Sequence, residues 1–71
     1  MNKETSLILE HINKNGHCCE KLSQLRSKHR NIKDFQVMLG YLVMEVVSEE
    51  KKFMNLSRKN IDLPYLTKVL F

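Results

Sequence analysis

The chain has 71 residues, of which 42% are hydrophobic and 28% are charged, and this balance excludes a disordered chain. A chain this short leaves no room for a separate cofactor-binding domain, so we expect residues 1–71 to form a single domain. Twelve Lys and Arg against eight Asp and Glu give a net charge of +4, which suits an acidic or polyanionic partner.

The first predicted element is a helix over residues 3–29. Asn2 can cap its start, and apolar residues follow at helical spacing. The pair Asn15-Gly16 favours a helix end, yet the apolar pattern resumes directly after it. Two interpretations stay open: one helix that is continuous or gently broken at Gly16, which we favour slightly because turn residues are few, or two helices that meet there.

The second predicted helix covers residues 32–56 and carries the strongest periodic signal in the chain. Asn31 can cap it, and Asp34 stands where the return partner of a capping box would lie. The β-branched residues of 37–47 would also suit a buried strand, but the cap and the length favour a helix. Apolar residues at spacings of three, four and seven form one stripe along it: Phe35, Leu39, Leu42, Val46, Phe53 and Leu56.

Other apolar residues of this helix fall outside the stripe, so we expect neighbours to contact the helix from two sides. Methionine adapts its shape to different partners and is common in binding grooves, and one methionine belongs to this second group of apolar residues. The second apolar face consists of Val37, Tyr41, Met44 and Val47. Partner binding explains this face more economically than a three-helix monomer whose first and last helices cover both sides, which is the rival interpretation.

A short helix is predicted over residues 64–70, with Pro64 at its first position and Asp62 near enough to cap it. The predicted helix ends at Leu70 and Phe71 comes next. Because this end of the chain is apolar, we expect it to pack on the body of the protein or on a partner. We therefore add both residues to the expected partner-binding surface. Together the elements predict an all-α fold, a small helical hairpin or a three-helix bundle with a short C-terminal helix.

The adjacent cysteines, Cys18 and Cys19, disfavour a structural disulfide and indicate a reducing cytoplasm. The sequence shows neither a signal-peptide layout nor an apolar run long enough to span a membrane. His11 and His17 lie near the cysteines, but this spacing does not bring four metal ligands together. Because no catalytic motif is present either, we expect no metal, no cofactor and no enzymatic activity.

Residues 26–33 are basic and contain no acid. Cationic side chains on one surface neutralise phosphates, so this segment is the candidate nucleic-acid contact. A solvated basic turn between two helices is the more ordinary interpretation. The candidate residues are Arg26, Lys28, Arg30 and Lys33.

The run Asn31-Ile32-Lys33-Asp34-Phe35-Gln36-Val37 follows a leucine-spaced helix and opens a second apolar one. In this it resembles the middle of the small helical co-chaperones of type III secretion needle subunits, over roughly residues 20–53. The resemblance implies a helical hairpin that joins a larger helical-repeat chaperone, the pair holding an aggregation-prone needle subunit in the bacterial cytoplasm. The segment 57–71 and the Cys-Cys pair depart from that pattern.

The sequence therefore predicts a non-enzymatic protein–protein interaction module. It would be a small adaptor, co-chaperone or regulator that binds another protein, or a second copy of itself, through an apolar helix face. The alternative is a small basic nucleic-acid-binding transcriptional regulator.

Overall fold

The computed structural model describes residues 2–71, and within them it contains four α-helices, two short 3₁₀ helices and no strand. The predicted all-α fold is confirmed. The α-helices are α1 (Lys3–Lys14), α2 (Gly16–Lys28), α3 (Ile32–Glu49) and α4 (Leu63–Leu70). The 3₁₀ helices cover Lys51–Phe53 and Arg58–Asn60, in the connection between α3 and α4.

The chain turns at Asn15, where α1 ends and α2 begins. The backbone of Asn15 is extended, its N–H donates to the His11 carbonyl at 3.0 Å, and its side chain accepts the N–H of Cys18 at 3.0 Å. One residue thus closes one helix and caps the next, and such an N-cap contributes about 1 kcal/mol. The expectation of one helix over 3–29 is wrong, because Asn15 makes the turn and Gly16 is simply the first residue of α2.

The central helix, α3, begins as predicted and ends earlier than predicted. The Asn31 side chain accepts the N–H of Lys33 at 2.8 Å, which caps the start. The helix stops at Glu49 rather than at residue 56, since the chain has no apolar anchor between residues 48 and 52 and turns there. The following 3₁₀ helix returns Phe53 to the core, where its ring packs nearly perpendicular to the His11 ring at 5.4 Å between centroids.

The hydrophobic core forms where α3 packs against α2 on one side and α4 on another, so the predicted two-sided packing of this helix is confirmed. Burying these aliphatic and aromatic side chains supplies the main stabilisation of the fold, at about 25 cal/mol per Å² of apolar surface. The buried core residues are Ile8, Ile12, Cys18, Leu22, Phe35, Leu39, Leu42, Val43, Val46, Val47, Phe53, Leu66 and Leu70.

A polar network fixes the connection between α3 and α4 to the start of α1. The hydroxyl of the fully buried Thr5 accepts the N–H of Asp62 at 2.8 Å and donates to the carbonyl of Asn60 at 3.3 Å. The Asn60 amide donates to the Glu4 carboxylate at 2.6 Å, and this bond lowers the pKa of Glu4. The Asn2 side chain also donates to the Asn60 carbonyl. These bonds determine where the chain enters α4.

Helix α4 begins one residue before the predicted start, at Leu63, with its cap as expected. The Asp62 side chain accepts the N–H of Tyr65 at 3.0 Å. The helix lies close to α3 at Gly40, where a Cβ would lie 3.3 Å from Cδ2 of Leu63, nearer than the usual ~3.5–4.0 Å between carbons. The small residue at position 40 therefore allows α4 to pack against α3. Within residues 2–71, none of the helices combines the length and the hydrophobicity that a membrane span requires.

Candidate protein-binding surface

Three apolar side chains of the predicted binding face remain exposed along one side of α3. Val37, Tyr41 and Met44 are 58%, 67% and 42% exposed. They stand at spacings of four and three, which places them on the same side of the helix over two turns. We call these three residues the α3 ridge. Scattered exposed apolar residues are common, but a contiguous row on one helix face is typical of an interaction site.

Two other residues of the predicted binding surface lie in the core instead. Val47 is 5% exposed and Leu70 is 3% exposed, so neither is available to a partner of the folded chain. Val47 stands two turns after Gly40 and hence on the side of α3 that α4 approaches. Leu70 shares the buried side of α4 with Leu66, one turn earlier. Their assignment to the binding surface is therefore wrong.

Phe71 is only partly exposed. Its ring packs against the ring of Phe35 at 5.0 Å between centroids, with the planes inclined at 60°. It nevertheless remains 45% exposed. Phe71 thus covers the N-terminal part of the α3 core with one side and leaves the other side open to solvent.

An apolar cleft lies beside the ridge, where the segment before α4 crosses α3. Its volume is about 170 Å³, which exceeds the ~150 Å³ of a protein cavity that holds benzene. Met44 belongs both to the ridge and to this cleft, so the two form one surface. We call it the α3–α4 cleft, and its lining residues are Gly40, Val43, Met44, Arg58, Ile61 and Leu63.

Comparison of the chain with family models, with curated proteins and with solved structures found no match. The resemblance to the type III secretion co-chaperones therefore stays a prediction. The surface of the folded chain is the main guide to its function.

A larger concavity, about 360 Å³, lies elsewhere, between α1 and the first 3₁₀ helix. Two of its polar residues pair with each other, Lys14 with Glu10 at 2.7 Å. A third, His11, approaches Glu50 outside the concavity at 3.8 Å. Within the described chain, no three His, Cys, Asp or Glu side chains come close enough together to hold a metal ion. Other apolar side chains are also exposed, among them Ile32, Met54 and Val69. The α3 ridge differs from them because it is a row of three on one helix face that continues into a cleft.

The four candidate nucleic-acid contacts differ in their surroundings. Arg26 donates from Nε to the carbonyl of Leu70 at 2.6 Å. A carbonyl at a helix C-terminus has no partner within its own helix, so this bond stabilises the end of α4 and ties it to α2. Lys28, Arg30 and Lys33 are exposed, in α2, in the connection to α3 and in the first turn of α3 respectively.

The two adjacent thiols have different surroundings. Cys18 is buried in the core, and this burial is the main reason why its pKa lies above the ordinary value. The neighbouring Cys19 raises the pKa further. Cys19 is exposed and donates from Sγ to the Ile12 carbonyl at 3.2 Å. Cys18 therefore stays protonated at neutral pH and serves as a small apolar core residue.

Proposed function

We propose that this protein is a non-enzymatic interaction module that binds another protein through the α3 ridge and the α3–α4 cleft. The observation that supports the proposal is the exposure of Val37, Tyr41 and Met44 on one face of the helix that forms the centre of the core. Removing such apolar surface from water is favourable, and a packed partner would do so.

These three side chains lie outside the buried core of the fold. The buried face of α3 already contacts α2 and α4, and no buried side-chain nitrogen or oxygen within residues 2–71 lacks a hydrogen-bond partner. Binding of a partner would account for an apolar row outside the core. An adaptor, a co-chaperone and a small regulator would all use the surface in this way.

The nucleic-acid alternative has weaker support. One of its four candidate residues, Arg26, already bonds to Leu70, and the other three belong to separate elements. A helix that reads a DNA groove presents several base-contacting side chains on one face. No single helix carries the four basic candidates, because Arg26 and Lys28 lie in α2, Arg30 lies in the connection and Lys33 lies in α3.

Replacing Tyr41 with Asp should abolish association with the partner while leaving the helical content unchanged. The side chain is 67% exposed at the middle of the ridge, so a carboxylate there stays solvated in the free chain but must lose water in the complex. We expect at least a hundredfold loss of affinity, about 2.7 kcal/mol. The measurement is quantitative co-purification of the tagged chain from its native cells, with circular dichroism of the purified variants.

The matched control is Gln24→Asp, which makes the same change of charge on the exposed polar side of α2. It should retain the partner. Equal retention by Tyr41→Asp and the wild-type chain would show that the ridge does not bind the partner.

A further inference from the structure

We infer that one end of the helical bundle binds the surface of an anionic lipid bilayer, with basic side chains at the lipid phosphates and apolar side chains in the layer beneath them. This inference goes beyond the proposed function, because it concerns a surface other than the α3 ridge. The observation that carries it is the distribution of charge over the whole chain.

Three helix ends meet at this end of the bundle. Arg26, in the last turn of α2, donates from Nε to the carbonyl of Leu70, the last residue of α4, at 2.6 Å. Phe71 follows, and its ring packs against Phe35 near the start of α3 at 5.0 Å between centroids. The connection between α2 and α3 lies there as well. We call this end, residues 26–34 and 68–71, the basic pole.

The basic pole carries the entire net charge of the chain. It contains five Lys or Arg and a single acid, Asp34, a sum of +4 with His neutral. The other seven Lys and Arg of the sequence are balanced by the other seven Asp and Glu. The sum at the pole stays positive, at +3, when a carboxylate at Phe71 is counted. The five cations are all exposed, and none belongs to an ion pair among the described residues: Arg26, Lys28, Arg30, Lys33 and Lys68.

Stabilisation of the helices explains only part of this charge. Arg26 and Lys28 lie in the last turn of α2, and Lys68 lies in the last turn of α4, where cations favour a helix. Lys33 lies instead in the first turn of α3, where a cation is unfavourable, and Arg30 lies in the connection. An external anion would compensate both of these charges, so binding accounts for the part of the pole that the helices do not.

Exposed apolar side chains at the pole favour a bilayer over a nucleic acid as the bound surface. Ile32, Val69 and Phe71 are 49%, 47% and 45% exposed. Phosphates of DNA and of lipids attract the same cations, but only a bilayer has an apolar layer beneath its phosphates. Clusters of about four to eight Lys and Arg are typical of segments that bind anionic lipids. The pole therefore combines the two attractions that hold a protein on such a membrane.

The test is sedimentation of the full chain with vesicles of phosphatidylcholine alone, or mixed with an equal amount of phosphatidylserine. We expect a partition coefficient at least about tenfold higher on the anionic vesicles at low salt, and a decrease at physiological salt, because salt screens exposed charges. Arg30→Glu combined with Lys33→Glu should lower the coefficient at least about tenfold, since the charge of the pole becomes zero. Val69→Ser should lower it about threefold, because less apolar surface enters the bilayer.

The matched control is Lys51→Glu combined with Lys59→Glu, which changes the net charge equally at two exposed residues between α3 and α4. It should bind within about threefold of the wild-type chain, because the pole is intact. Circular dichroism checks the folding of every variant, and an acid at position 33 favours the start of α3.

Equal losses in the two double variants, equal binding to the two kinds of vesicle, or full binding by Val69→Ser would overturn the inference. Binding to a fluorescent DNA duplex without binding to the anionic vesicles would also overturn it and would assign the pole to nucleic acid. The co-purification experiment decides the proposed function separately, since both double variants keep the α3 ridge unchanged.

Discussion

Replacing Phe35 with Ala should remove most of the stability of the chain. The side chain is completely buried at the N-terminal end of the α3 stripe, and it supports the ring of Phe71. A Phe→Ala change in a core costs about 3–5 kcal/mol, while domains have about 0.05–0.15 kcal/mol of stability per residue. For a chain of 71 residues, the loss is therefore a large part of the total free energy of unfolding. Urea unfolding followed by circular dichroism at 222 nm gives the loss directly.

The control for this variant is Phe71→Ala, at the other ring of the same pair. That ring is half exposed, so its removal should cost only about 1 kcal/mol, in the range of one aromatic contact with partial burial. A loss at Phe71 as large as the loss at Phe35 would mean that the end of the chain contributes to the core as much as α3 does.

The second large effect is expected from a pair of variants, Val47→Asp and Met44→Asp. Val47 is almost completely buried, so a carboxylate at position 47 would be desolvated without a counter-ion, at a cost of several kcal/mol. Met44 is 42% exposed, and a carboxylate there remains in water. We expect Val47→Asp to unfold the chain and Met44→Asp to keep the helical spectrum of the wild type while losing the partner.

Thermal unfolding of both variants, monitored by circular dichroism, checks this prediction. Both substitutions add the same charge to the same helix, three residues apart, so the change in net charge is equal. Met→Asp loses slightly more helix propensity than Val→Asp, by a few tenths of a kcal/mol, which is small beside the expected effect of burial. Unfolding of both variants would place Met44 in the core and remove it from the binding surface. Normal folding of both would be incompatible with the burial of Val47.

The helical class and most helix starts were predictable because they depend on local chemistry. Asn31 and Asp62 cap α3 and α4 as their sequence context indicates. The helix ends were less predictable. Asn15 both ends α1 and caps α2. The apolar pattern continues across this residue, so the pattern alone does not predict the break between the helices.

The binding surface could be predicted only in part. Spacing identifies Val37, Tyr41, Met44 and Val47 as a second apolar face, but only the packing of α4 decides which of them is covered. Arg58, Ile61 and Leu63 were missed. Their place beside α3 depends on hydrogen bonds from Thr5 to the segment that enters α4, between residues more than 50 positions apart. Local sequence contains no signal for such a contact.

If the α3 ridge is a binding surface, it lies against a different protein in the cell, and crosslinking from the ridge can detect that protein. The photo-reactive residue benzoylphenylalanine is incorporated at position 41 and, as a control, at the exposed position 24 on α2. We expect an adduct with another protein from position 41, none from position 24, and loss of the adduct when Met44→Asp is added. Adducts of equal yield from both positions, or no adduct from position 41, would rule out the proposed binding surface. An adduct between two copies of this chain would show that the ridge serves self-association and would contradict the binding of a different protein.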